Sequence, residues 1–413
     1  MSIARRLADA AADVLAFLLR LGGRAFYHYF LEALWQRHPS FGSDAPTLPV
    51  VLHYPDPVEP DAGERALVER VFAAYRAAKR VEPTVDPIFH PGGGWRRVRD
   101  KAYAPLLEAV ARGDLAPFHH FLANFGSWKD STGIETSRLV YEYSQDPRKR
   151  RHFEQRIMAP MIRWWLDCGG GGRELSELAL PRHGNQCGVL VGDSLVSSGA
   201  IFSEIHGRML AGLVPREGHV IAELGGGFGR LAYYLSRDLD GLCYLGFDLP
   251  ETLCCASYFL MKAFPDARFH LHGEGEPPFE RLREVDFVLL PSFEIGRLPS
   301  RSVDLFVNEN SLGDMPGATA RLFVREMCRT ADAIWHRNHE AWRNDFEEGG
   351  RSLINREYPF PPEFEQVLRQ YDPAGWMVKG RLDYDADMFW YYHRRRAEST
   401  AAALLELPAA PRR

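Results

Sequence analysis

Long apolar runs are missing from this chain. The most membrane-like stretch, RRLADAAADVLAFLLRLGG near the N-terminus, carries Asp9, Asp13 and Arg20 in or beside a short apolar centre. A membrane span needs roughly 20 apolar residues, and a secretory leader needs an apolar core free of acids, so neither is expected. Val14, Phe17, Leu18 and Leu21 fall at helical spacing and predict an amphipathic helix for packing or dimerisation. Arg5, Arg6 and Arg24 leave contact with anionic lipid as the other reading. Cysteine is scarce as well, six in 413 residues, with no Cys-x-x-Cys spacing. That argues against a zinc site or a disulfide frame and fits reduced thiols in a cytoplasmic protein. Charge of one sign is also lacking. A net charge of -5 offers no footprint for nucleic acid. The run PRKRR at 147–151 reads as a solvated face. No internal repeat is found.

What is present is a change of rhythm. Residues 1–170 read as mainly helical and then irregular. Residues 40–62 form an extended connector rich in proline and glycine, and Val68, Val71, Phe72 and Tyr75 mark a helix. HPGGGWRRV reads as a loop, and Phe153, Ile157, Met161 and Trp165 mark a longer helix. The run CGGGGR at 168–173 has too much backbone freedom to remain inside an element, so a boundary is placed there. LPRHGNQCGVLVGDS reads as a loop, followed by a helix with Ile201, Ile205, Met209 and Leu213 on one face.

From 219 onward, short apolar runs alternate with helical patterns. HVIAEL, CYLGFD, VDFVLL, VDLFVN and ADAIWH are the runs; 228–238, 250–264 and 317–329 are the helices. Such alternation predicts an α/β fold, a parallel sheet with helices on both faces. MFWYYHRR at 388–395 is the expected closing strand at the sheet edge. The expected organisation is a helical region over 1–170, an α/β domain over 171–396 and a loosely ordered tail over 397–413.

The chemistry concentrates in VIAELGGGFGRLAYYLSRDLDGLCYLGFDLPETL, residues 220–253. A dinucleotide fingerprint can be laid on Gly227, Gly229 and Ala232, with Asp248 about 20 residues on. The alternative is acid-x-Gly-x-Gly-x-Gly, met by Glu223, Gly225, Gly227 and Gly229. Dinucleotide sites aim a helix N-terminus at a pyrophosphate and want no acid at the strand end. S-adenosylmethionine has no phosphate and carries two positive groups, so Glu223 favours it over NAD. A carboxylate at Asp248 suits a ribose diol, one oxygen for each hydroxyl.

ELGGGFGRLA, GFDLPETLCCASYFL and VDLFVNENSLGDM, taken in order, resemble a bacterial family of sugar O-methyltransferases, from about residue 181 to about 339. The resemblance implies a Rossmann-like methyltransferase sheet, S-adenosylmethionine as cofactor and a small-molecule sugar or glycoside as acceptor. Glu223, Gly225, Gly227 and Gly229 would line the methionine part of the cofactor, and Asp248 with Leu249 the ribose. Pro291 and Ser292 would lie near the adenine, Asn308 and Glu309 near the sulfonium end. The fourth block and the FDLP step are also similar to plant small-molecule O-methyltransferases. Alignment on those enzymes puts Asp314 beside their catalytic position, where they carry histidine.

A sugar hydroxyl needs a general base. Asp314 is one candidate, with a helix cap near Pro316 as its alternative role. His336 and His339 in IWHRNHE compete, since histidine is matched to neutral pH. His183 is a further candidate. No carboxylate cluster calls for a metal. Trp335, Trp342, Tyr358 and Phe360 could present flat faces to a sugar or fill the core. The glycine- and proline-containing segment 347–364 has the composition of a lid.

Overall fold

The computed structural model describes residues 48–129, 137–168, 173–197, 199–214, 218–346, 350–372 and 387–396. The helix expected from Val14 to Leu21, most of the glycine run, residues 347–349 of the lid segment and the tail lie outside them. Among the described residues, no helix is long and apolar enough to cross a membrane.

The first part is a short strand β1 (Val50–His53) and a helical layer. It comprises α1 (Arg65–Val81), α2 (Gly93–Ala102), α3 (Ala104–Arg112), α4 (Leu115–Asn124), α5 (Ser137–Ser144), α6 (Pro147–His152) and α7 (Ala159–Cys168). In α1 the residues at helical spacing, Val68, Val71, Phe72, Tyr75 and Ala78, are the buried ones, and Pro83 follows its end. HPGGGW is not only a loop: α2 starts at Gly93, capped by extended Gly92. Helices α6 and α7 are continuous through a π-helical turn at Phe153–Met158.

Beyond the glycine run come β2 (Gly188–Val191) and β3 (Ser194–Val196), a hairpin in the segment expected to be a loop. Gly192 and Asp193 make the turn, with Gly192 at φ +58°. β1 pairs antiparallel with β2, so this three-stranded sheet joins chain from both sides of the glycine run.

The larger sheet follows α8 (Ala200–Ala211). Its elements are β4 (Val220–Leu224), α9 (Arg230–Asp238), β5 (Cys243–Asp248), α10 (Pro250–Ala263), β6 (Phe269–Leu271), β7 (Phe287–Pro291), β8 (Val303–Glu309), α11 (Gly317–Thr330), β9 (Ala331–His339), β10 (Phe364–Tyr371) and β11 (Met388–Arg395). The order across the sheet is β10-β11-β9-β8-β4-β5-β7-β6. β11 lies antiparallel to both its neighbours, and the other pairings are parallel. This is the α/β, Rossmann-like fold expected from the sequence. One expectation is corrected: β11 is second from the edge, and β10 is the edge.

Alternation along the strands builds two cores. Ile221, Tyr244, Leu305 and Trp335 face one, closed by α8, α9, α10 and the N-terminal helices. Ala222, Leu245, Phe306 and Ile334 face the other, closed by α11. Strands buried on both faces read as continuous apolar runs. After β4 the chain winds outward through β5 and β7, then returns to β8 on the other side. This places a topological switch point between β4 and β8, where open α/β sheets leave a crevice at the carboxyl ends of the strands.

Candidate functional site

The glycine turn opens at that crevice. Gly225, Gly227 and Gly229 have φ values of +78°, +61° and +90°. At Gly225 a second constraint acts, because a Cβ would run into the Ser311 side chain of the neighbouring loop. Gly226 has ordinary φ, yet a Cβ there would stand 2.8 Å from Glu223 Oε2 and from the Tyr244 hydroxyl. It is therefore more than a turn residue. The turn is tied to β5 by Gly225 N–H donating to Phe247 O at 2.8 Å.

Three carboxylates end three adjacent strands. Asp248, partly buried at the end of β5, accepts from Gly227 N–H at 3.0 Å and Leu249 N–H at 2.7 Å. Burial raises its pKa to about 7, against those hydrogen bonds. Glu223, in β4, is buried and accepts from the Tyr244 hydroxyl. Burial, reinforced by the charge of Glu309, pushes it up to about 8. Glu309, ending β8, behaves oppositely. Burial pushes its pKa up, but the charge and hydrogen bond of His206, with the charges of Arg337 and Arg230, outweigh that and hold it below the ordinary value. His206 Nδ1 donates to Glu309 Oε1 at 2.7 Å. At neutral pH the crevice thus has one firmly ionised acid and two that are easily protonated.

The other residues expected around the cofactor lie at the same ends. Leu249 is the N-cap of α10, and Pro291 and Ser292 end β7. Asn308 is fully buried and donates to Leu224 O at 2.9 Å and Ser311 Oγ at 2.5 Å. It accepts from Asn338 Nδ2 at 2.9 Å. This ties β4, β8, β9 and the loop after β8 together.

The three candidate bases do not form one group. Asp314 and His339 gather at the loop after β8. Asp314 accepts from Asn344 Nδ2 at 3.2 Å, and the His339 ring packs on Gly313, 3.3 Å from where a Cβ would be. His339 Nδ1 bonds Asp387 Oδ1 at 2.7 Å, and Asp387 also accepts from the Ala341 and Trp342 N–H groups. Burial works against the Asp387 charge, but these bonds hold its pKa below the ordinary value. His336 stands apart. It is fully buried in a stack with Tyr391, Phe360 and His393, at 5.1, 5.6 and 5.4 Å between ring centroids. Among the described residues neither ring nitrogen has a hydrogen-bond partner, and burial drives its pKa far down. It exposes no surface to a substrate hydroxyl. His183 is half-buried beside Phe259, its pKa lowered by burial and by Lys262.

Sequence reasoning missed His206, Asn338 and Asp387. A histidine on the apolar face of a helix needs a partner, which marks His206 in retrospect. The partner, Glu309, is 103 residues away. Asp387 carries no such signal. Of the aromatics, Trp335 and Tyr358 are buried in the cores, while Trp342 is 43% exposed beside Asp387.

No family model matches the sequence, and no curated protein matches it. Solved structures similar to part of the chain include the N-terminal domain of EvdMO1 with S-adenosylhomocysteine bound. It is 13% identical, covers 54% of this chain and 94% of that one, and has a TM-score of 0.34. Magnesium protoporphyrin IX methyltransferase from Synechocystis with S-adenosylmethionine bound is 12% identical, with coverages of 47% and 78% and a TM-score of 0.32. The glycopeptide N-methyltransferase MtfA complexed with sinefungin is 13% identical, with coverages of 47% and 87% and a TM-score of 0.31. The strand order of the chain, not these distant likenesses, defines its fold.

Proposed function

We propose that this protein is an S-adenosylmethionine-dependent O-methyltransferase acting on a hydroxyl of a sugar or glycoside. The observation that carries the reading is Asp248 held against the glycine turn at the sheet's switch point, with buried Glu223 at the end of the adjoining strand. Beside them Glu309, held ionised by His206, opposes a pyrophosphate at this turn and suits a cationic ligand, while Asp248 suits its ribose. In this reading Gly225, Gly227 and Gly229 admit the methionine part, and Asp248 with Leu249 holds the ribose. Pro291 and Ser292 border the adenine. Bound S-adenosylmethionine supplies an activated methyl group on a positively charged sulfur.

The protein then has to hold a hydroxyl in line and take its proton. His339 is our choice of acceptor: it is as buried as His336, at 1% exposure, but it ends β9 against the loop that carries Asp314, and Asp387 fixes its ring through Nδ1. Asp314 shares the loop and would orient the hydroxyl. The exposed face of Trp342 next to Asp387 favours a sugar acceptor, since a flat aromatic surface suits a pyranose ring. We further propose the division 1–170, 171–396 and 397–413, with the first part covering the acceptor or mediating packing and dimerisation.

Calorimetric titration with S-adenosylhomocysteine and with NAD tests the cofactor. Heat from NAD and none from S-adenosylhomocysteine would overturn it. Methyl turnover against a panel of nucleotide sugars tests the acceptor. Tight cofactor binding with no turnover on any sugar would move the function to a non-sugar acceptor or to a non-catalytic partner.

A further inference from the structure

Helix α8 brings a residue to the crevice that the glycine motif does not contain. His206 is 1% exposed, its ring set between Trp335 and Trp390 at centroid distances of 5.2 and 5.4 Å. Among the described residues its Nε2 has no hydrogen-bond partner, and the ring's polar contact there is at Nδ1, on Glu309. Two further cations act on Glu309: Arg337, one strand over, is engaged by buried Asp372, and Arg230, at the start of α9, donates to Ser203 and Ser197. His206 is thus the hydrogen-bond donor that fixes the Glu309 carboxylate.

One oxygen of that carboxylate remains available. Glu309 Oε2 takes no hydrogen bond from the described residues, and the side chain keeps 21% exposure. Asn308 pairs with Leu224 in the ladder, so Glu309 stands level with Gly225 across the switch point. The other acid of this region is already committed: Glu223 is 3% exposed, accepts from Tyr244 and is pressed against Gly226. A fixed carboxylate with one open oxygen calls for a ligand group that brings both positive charge and N–H donors. An ammonium offers three such donors, and a sulfonium offers none.

We propose that Glu309, held in place by His206, receives the α-ammonium of the methyl donor, making His206 a positioning residue of the donor site. This rests on the S-adenosylmethionine reading above and assigns the recognition of its amino-acid end. The positive end of the donor therefore meets Glu309, and Glu223 serves to shape the turn through Tyr244.

The full-length chain is titrated with S-adenosylhomocysteine and with methylthioadenosine, which has the same adenosine but no amino-acid group. His206→Phe keeps a ring between the two tryptophans and removes the donor. It should weaken S-adenosylhomocysteine roughly 10- to 100-fold, the range for losing a charged hydrogen-bond partner, and change methylthioadenosine less than about twofold on the same reasoning. His206→Asn, whose amide can stand where Nδ1 stood, should recover most of the loss. Glu309→Gln should reproduce the selective loss. A folded His206→Phe protein with unchanged affinity overturns the proposal, as does an equal loss for both ligands or a failure of His206→Asn to recover. If His206→Phe does not fold, an absence of selective loss in Glu309→Gln overturns it alone. Wild-type protein that binds neither ligand refutes the cofactor reading itself, a separate result from any of these.

Discussion

Replacing Asp248 by asparagine should separate binding from stability, because the two draw on the carboxylate in opposite ways. The carboxylate accepts from Gly227 and Leu249 N–H groups, and burial raises its pKa from 3.8 to about 7. At 1.36 kcal/mol per pH unit, holding the charge at pH 8 costs up to about 4 kcal/mol, and about 2–4 once discounted for its partial exposure. Asparagine removes that cost and keeps one accepting oxygen. It turns an amide NH₂ toward the other backbone N–H, a loss of about 1–3 kcal/mol. The variant should therefore melt close to or above wild type at pH 8. The sign follows from linkage. A raised acid pKa gives the native state more protons than the unfolded chain, so wild-type stability is lost as pH rises through about 7. The variant lacks that loss, and its advantage should shrink on going down to pH 5. Affinity for S-adenosylhomocysteine should fall by about 1.5–3 kcal/mol, since one of two ribose hydroxyls loses its charged acceptor. Melting curves at the two pH values and a calorimetric titration at pH 8 provide the test. A melting difference independent of pH, or an unchanged affinity, would refute the reasoning.

Glu223→Gln preserves an acceptor for Tyr244 without the buried charge. Its melting temperature should match wild type near pH 4.5, the unfolded value, and exceed it increasingly up to about pH 8, to which Glu223 is raised, and at pH 9; a lower melting point at pH 9 would count against a protonated Glu223. Gly225→Ala combines φ +78° with a Cβ driven into Ser311, so denaturant unfolding should show a loss of about 1–3 kcal/mol. A wild-type midpoint would mean that the turn relaxes freely. His339→Ala should lose about 10²–10⁴-fold in turnover with cofactor affinity intact, Asp387→Asn less, and His336→Ala should act only through stability; full turnover in His339→Ala would pass the role to Asp314, tested by Asp314→Asn.

The large sheet was legible in the sequence for a physical reason. A strand buried on both faces must be apolar throughout, and the parallel connection then demands a helix, so VIAEL, CYLGFD and VDLFVNE announce themselves with their helices. β10 was not legible. Val367 and Leu368 are exposed on an edge strand, and burial imposes no pattern there. The small sheet was hidden differently, because β1 meets β2 only across a long, mainly helical stretch of chain, and neither four-residue segment is diagnostic alone.

The sequence by itself determined the parallel sheet, the glycine turn and the acids that end its strands. These are local matters of backbone conformation, apolar period and strand-end position. Only the tertiary structure decided what state those acids are in and which histidine matters. Glu223 and Glu309 are both glutamates at strand ends, yet burial beside Tyr244 raises one and His206 lowers the other. His336 and His339 are three apart on one strand, yet one closes an aromatic stack and the other meets Asp387. A pKa and a proton path depend on neighbours in space, and those neighbours lie 103 and 48 residues away along the chain.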